Sequence, residues 1–309
     1  AQMYRVGVLA LLLVVAGGVW AKDYSDDWKI GFIIQPRYDL VHGKEGRLKW
    51  QRVRVWAGGP ISDRLAARVT VDRATDILRI IDLYADWEMV RGRVPLSMRV
   101  GQFYQTTTPD GTRSPLNYID FAIPTQNFGI ARQITGVQLS TKPLSRLALT
   151  AAITNGENKL LTGPNDRPTY LASATWLGKP FKLRAWGMVG FDRARPTYVE
   201  NPNKTYGIDL YDLNWGRLST GISWFDGKRY GRTMHGLHAD VAYRFDKKTT
   251  TAGRLEWFDT NTAVPGSIRQ RWTWANKHAL TDWLTARADF RYEQGTGHPE
   301  AIFRMDFAF

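Results

Sequence analysis

Arginines recurring at even spacing are the residues of this 309-residue chain whose type and placement could do chemistry. Arg52 and Arg54 stand two apart in the run Gln51-Arg52-Val53-Arg54-Val55. On an extended strand such a pair points the same way, its members about 7 Å apart. A guanidinium stays charged at any relevant pH and offers an oxyanion a planar fork of donors. A row of them could pass a small anion from one partner to the next. Other chemistries find less support. The five histidines are His42, His235, His238, His278 and His298. His235 and His238 are three apart, so on a strand they face opposite sides and cannot share a metal ion. His238 and Asp240 share a face, but spacing brings no serine to them. No G-x-S-x-G, H-E-x-x-H or phosphate-binding loop occurs. Without cysteine there is no thiol catalysis, disulfide or zinc ribbon. The chain is expected to be no enzyme and to need no cofactor or metal.

The charge balance asks for an anionic partner. Lys and Arg number 42 against 29 Asp and Glu, a net charge of +13. Nucleic acid, an anionic lipid surface and small anionic solutes would all fit. At 43% hydrophobic and 23% charged, the chain is too apolar for disorder. Its mean hydropathy of -0.35 is too polar for a bundle of membrane helices. The amino terminus separates the candidate partners. Arg5 precedes an apolar run from Val6 to Val15, and Val19 and Ala21 supply small residues three and one before a cleavage point. Residues 1–21 read as an export signal removed after Ala21, leaving 22–309 as one domain. Export speaks against nucleic acid.

The elements that must carry the arginines are strands. Leu65, Ala67, Val69 and Val71 alternate with Ala66, Arg68, Thr70 and Asp72, and Leu237, Ala239, Val241 and Tyr243 alternate with His238, Asp240, Ala242 and Arg244. Leu284, Ala286, Ala288 and Phe290 alternate with Thr285, Arg287, Asp289 and Arg291. This period of two gives one apolar and one charged face. Short turns, such as Gly178-Lys179-Pro180 and Trp215-Gly216, alternate with longer polar connections at 42–46, 72–76, 106–132, 155–169, 192–204, 226–232, 260–267 and 294–299. The count of strands is about sixteen, each with its connection close to a membrane strand plus a turn. A soluble sandwich and a transmembrane barrel both alternate in this way. The export signal, the regular alternation of turns and loops, and the final Phe303-Arg304-Met305-Asp306-Phe307-Ala308-Phe309 favour the barrel. So do tryptophans near strand ends, among them Trp50, Trp56, Trp176, Trp215, Trp224, Trp257, Trp272 and Trp283, as an interfacial girdle requires.

Several short motifs then carry a resemblance. They are Arg52-Val53-Arg54-Val55, Asp82-Leu83-Tyr84-Ala85-Asp86, Val100-Gly101-Gln102-Phe103, Gly136-Val137-Gln138-Leu139, Ile153-Thr154-Asn155-Gly156-Glu157 and the closing strand. In this order, over 28–309, the chain resembles the phosphate-selective porin O and P family of Gram-negative outer membranes. The resemblance implies a sixteen-stranded antiparallel barrel, a homotrimer, an infolded third loop and lumenal arginines that guide anions. Tyr104 departs from it, standing where a basic residue is expected after Gly101-Gln102-Phe103.

Residues that alternate against the lipid face line the lumen. By that parity the basic lining is Arg52, Arg54, Arg68, Arg99, Arg184, Arg244, Arg254, Arg271, Arg287 and Arg304, with Lys182, Arg269 and Arg291 beside them. Asp82, Asp86, Glu88, Asp209, Asp240, Glu256, Asp289, Glu293 and Asp306 share that face and could pair with them. The connection 106–132 is long and holds Leu116, Tyr118, Ile119, Phe121, Ile123 and Phe128, which a disordered loop would lack. Folded into the lumen, it would form a constriction presenting Arg113, Tyr118, Asp120 and Arg132. The expected function is passive diffusion of small hydrophilic solutes, with preference for phosphate-like anions. A general porin remains open, as does a sugar channel using Trp50, Trp56, Tyr84, Trp186 and Tyr211. Outer-membrane lipid and lipopolysaccharide are the expected surroundings.

Overall fold

The computed structural model describes residues 27–74, 77–105, 124, 133–155, 167–194, 199–294 and 299–308. Sixteen strands follow one another: β1 (Lys29–Val41), β2 (Arg47–Pro60), β3 (Leu65–Ala74), β4 (Ile77–Val90), β5 (Leu96–Tyr104), β6 (Gln133–Leu144), β7 (Leu147–Thr154), β8 (Thr169–Leu177), β9 (Lys182–Ala194), β10 (Val199–Trp215), β11 (Leu218–Arg229), β12 (Arg232–Arg244), β13 (Thr249–Asp259), β14 (Ile268–Ala279), β15 (Leu284–Glu293) and β16 (Glu300–Ala308). Each pairs with its neighbours in sequence, and β1 pairs antiparallel with β16, closing the barrel. The expected all-β antiparallel barrel of sixteen strands is therefore observed. Closure matters physically, because it leaves no strand edge with unpaired N–H and C=O groups.

Alternation decides which side chains point out. Ile208, Trp224, Val241, Leu255, Trp272, Trp274 and Phe290 stand exposed on the outer wall of successive strands. So continuous an apolar surface far exceeds what water tolerates on a monomer, and it suits hydrocarbon. Tyr243 packs edge-on against Phe245, and Trp283 stacks on Phe307, all close to the end that carries the short turns. Trp56 does not join such a girdle. It faces Gly31 across the strand pair from the inside, with its indole against the glycine Cα. Only glycine leaves room there.

Bulges adjust the parity. Gln35 pairs with Arg52 but Pro36 pairs with Trp50, so Gln51 is an extra residue in β2. Pro36 has no N–H to give the ladder and is tolerated at such an irregularity. Because of the bulge, Trp50 points out, 57% exposed, while Arg52 points in, although the two share sequence parity. A second bulge sits in β4, where Thr70 pairs with Asp82 and Val71 with Ile80. The Gln102 amide donates to the carbonyls of Ile80 and Ile81 there, at 2.6 and 3.2 Å.

The short turns at 61–64, 91–95, 145–146, 178–181, 216–217, 245–248 and 280–283 gather at one end with the start of β1. The expected regular alternation with long loops fails at three places. β3 and β4 are separated only by 75–76, β9 and β10 only by 195–198 where 192–204 is expected, and β11 and β12 only by Tyr230 and Gly231, both at positive φ. The polar residues read there as loop instead lengthen the strands, with Lys228 opposite Thr233 and Arg229 opposite Arg232. A polar hairpin that projects beyond the apolar belt keeps its ladder because pairing costs nothing in water.

Candidate functional site

The inner wall divides into two sectors. One is an ion-paired ladder running from β12 through β16 and β1 to β5. Arg254 Nε lies 2.5 Å from Asp240 Oδ1 on the adjacent strand. Arg271 donates to both carboxylate oxygens of Glu256, one at 2.9 Å. Arg269 Nε reaches Glu293 at 2.8 Å. Arg304 meets Asp289, Arg291 approaches the same carboxylate at 3.6 Å, and Arg287 meets Asp306. Across the seam, Arg37 and Lys49 both meet Asp39. Arg54 and Arg52 lie 3.0 and 3.4 Å from one oxygen of Asp72. Arg68 stands 3.8 Å from Asp82, and Arg99 holds Asp86 through two bonds of 2.7 and 2.9 Å.

Eight of the ten expected basic residues thus sit in this ladder: Arg52, Arg54, Arg68, Arg99, Arg254, Arg271, Arg287 and Arg304. Arg184 lies on the opposite sector, donating to Thr175 Oγ1 at 3.0 Å and Tyr211 Oη at 3.1 Å, with Asp209 as its register partner. Arg244 stands at the short-turn end, its backbone N–H bonded to Arg217 O. The pairing is neighbour to neighbour along the wall, which stiffens the ladder. Among the described residues, Asp39, Asp72 and Asp289 are each approached by two cations. The field of such clusters is focused into the lumen by the low-dielectric wall.

The other sector is apolar, which alternation did not foretell. Phe103, Ile134, Leu171 and Met188 form one cluster on β5, β6, β8 and β9, and Trp186, Phe225, Met234 and Phe258 form another on β9 and β11–β13. By register these residues face inward, yet Phe103, Phe225 and Phe258 are fully buried. Phe225 stacks on the His238 ring at 5.6 Å and tilts against Trp186 at 5.8 Å. Apolar side chains facing a lumen stay dry only when covered. Pro124, in the connection between β5 and β6, is buried against this belt. A Cβ placed on Gly236 of β12 would come 2.6 Å from Pro124 Cβ and 3.3 Å from Phe258. β12 lies far round the barrel from β5 and β6, the strands that flank Pro124 in sequence. Arg113, Tyr118, Asp120 and Arg132, expected at a constriction, lie outside the described residues, as do the export signal and Phe309.

The aromatic residues suggested for stacking divide. Trp56, Tyr84, Trp186 and Tyr211 point inward and Trp50 outward. Arg68 lies over Trp56 at 4.6 Å, Arg99 over Tyr84 at 4.2 Å and Arg184 over Tyr211 at 5.4 Å. Their faces are already taken by guanidinium groups, so they do not form a free sugar track. Register also places Ser223 directly across from His238, whose Nδ1 lies 3.3 Å from Asp240. Spacing within one strand could not show this cross-strand neighbour. The group is deeply buried, with His238 at 1% and Ser223 at 2% exposure.

No family model matches the chain, and no curated protein matches it. Solved structures do. An anion-selective porin from Comamonas acidovorans is similar over 91% of this chain and 99% of its own, at 9% identity and TM-score 0.70. OmpF of Salmonella typhi, in complex with daunomycin, is similar over 91% of this chain and 97% of its own, at 8% identity and TM-score 0.72. OmpT, an outer membrane protein of Vibrio cholerae in its trimer form, covers 91% and 99% at 10% identity and TM-score 0.67.

The fold is that of outer-membrane porins. At these identities the likeness is one of architecture. The narrower phosphate-selective family is not among the matches described. The exclusion of enzymatic activity drawn from motifs is overturned. The matched structures include OmpT, an outer membrane protein, beside the porins. A barrel shared at such identity excludes no chemistry on its wall.

Proposed function

We propose that this chain is an outer-membrane channel through which small hydrophilic solutes diffuse passively, with oxyanions preferred. The observation that carries the reading is the ladder in which Asp39, Asp72 and Asp289 are each shared by two cations. A fixed positive excess on a rigid wall lowers the energy of a passing anion and raises that of a cation. The planar guanidinium groups of Arg52, Arg54 and Arg68 suit phosphate-like oxyanions, which can be held and released in steps. The connection 106–132 covers the apolar sector and narrows the path, a reading supported by the seat of Pro124 against Gly236. Residues 1–21 direct export and are removed. The apolar outer wall lies in lipid beneath lipopolysaccharide, and three copies associate. The test is solute efflux from liposomes carrying the folded protein. Phosphate and small organic anions should leave faster than neutral sugars of the same size, and these faster than cations. Equal rates for all three classes would leave a general porin.

A further inference from the structure

A cavity of about 390 Å³ opens at the short-turn end of the barrel, where Lys277 of β14 stands opposite Arg287 at the end of the ladder. Its lining includes Arg217, Arg244, Lys247 and Lys277, with Ser219 and Thr250 between them, and it includes no carboxylate. Along the ladder the cations stand beside an Asp or Glu. Here, among the described residues, Arg244, Lys247 and Lys277 form no ion pair. Arg217 spends one N–H on the carbonyl of Phe245, at 2.7 Å. Asp246, in the turn beside Lys247, is turned away: its carboxylate accepts the backbone N–H groups of Lys248 and Thr249 at 2.6 and 2.7 Å. The floor is built of small residues, Ala242 and Ser219, so the cations ring a hollow instead of packing into a core.

We propose that this cavity is a binding site for a multivalent oxyanion, one carrying two or more charged groups, at the short-turn mouth of the channel. The four cations lie on strands and turns from β11 to β14, three interstrand steps or about 14 Å of wall. A single tetrahedral oxyanion accepts hydrogen bonds at about 2.8 Å and so reaches cations on adjoining strands only. An ion with charged groups at both ends spans the ring. The site deepens the anion-channel reading and rests on it for its consequence. A multivalent anion arriving from the short-turn side lodges at the mouth and slows the passage of smaller anions. The same ion arriving from the other side is first held by the ladder, so block sets in at lower concentration from the short-turn side.

Two measurements test this. Calorimetric titration of the folded protein in detergent at low salt, with citrate and with inorganic pyrophosphate as probes, should show one site for each. Binding by only one probe would narrow the class to polycarboxylates or polyphosphates. Lys247→Gln lies in an exposed turn that tolerates the change, and should weaken binding about fivefold. Arg244→Gln with Lys277→Gln should weaken it about 25-fold. Lys179→Gln, in the turn between β8 and β9 outside the cavity, should change nothing. In planar bilayers, either probe should reduce single-channel current at lower concentration when added on the short-turn side than on the other. Wild-type affinity in the Lys247 and Arg244/Lys277 variants overturns the site. Absence of binding while conduction persists overturns it too and leaves the channel reading intact. Binding without conduction in the wild type retains the site and removes the channel reading.

Discussion

Arg54→Gln is the most informative single change in the ladder. Arg52 and Arg54 share Asp72. Removing Arg54 leaves the Arg52–Asp72 pair and takes one positive charge from the cluster. An ion passing about 7 Å from a unit charge in water feels about 0.6 kcal/mol. At 0.01 M salt, where the Debye length is about 30 Å, most of this survives. Anion and cation energies move oppositely, so their permeability ratio should fall about fivefold, read as a shift of the reversal potential toward zero. At 1 M salt the Debye length is about 3 Å, and the same variant should be nearly indistinguishable from wild type. The double change of Arg52 and Arg54 to Gln takes a second positive charge and should shift selectivity further. It also strands Asp72, whose side chain is 7% exposed, without its guanidinium partners. That costs about 1–3 kcal/mol of stability, so the single variant is the cleaner probe. An unchanged reversal potential in Arg54→Gln at low salt would refute the link between shared carboxylates and anion preference.

Other outcomes follow from the remaining geometry. Gly236→Val places atoms where Pro124 sits, at 2.6 Å, and should displace the connection 106–132, raising single-channel conductance while the barrel still migrates as a heat-modifiable band. Phe225→Ala opens a hole in a fully buried site and should cost about 3–5 kcal/mol, seen as a lower temperature of heat modification. Asp246 is held below the ordinary carboxylate value by the N–H groups of Lys248 and Thr249. It therefore stabilises the turn above that value and loses the contribution as pH falls below about 4. Asp246→Asn should unfold with less dependence on acid pH than wild type, and an identical acid profile would count against the assignment.

The barrel was legible because period-two alternation survives along nearly every strand. Its limits show where local pattern is not enough. Trp50 and Arg52 share parity yet face opposite ways, because a bulge at Gln51 inserts one residue and nothing in the flanking side chains announces it. The hairpins at 75–76 and 230–231 looked like loops because polar residues serve both loops and strands that project into water. Most of the ion pairs are cross-strand, Arg37–Asp39 and Asp289–Arg291 excepted, so the sequence offered the inward arginines and carboxylates but not which meets which across strands. The apolar sector was the largest omission. Alternation ranks both faces of β5, β9 and β13 as partly apolar, and reading them correctly needs the opposite wall and Pro124 in place. Ser223 beside His238 belongs to the same class of neighbour, one made only by register.

Reversal potential in a planar bilayer under a tenfold KCl gradient at low salt tests the central claim most directly. The wild-type chain should insert as discrete conductance steps, with the sign of the potential set by chloride and decaying toward zero as both solutions approach 1 M. A folded barrel that gives no steps, or a potential set by potassium, would contradict the account.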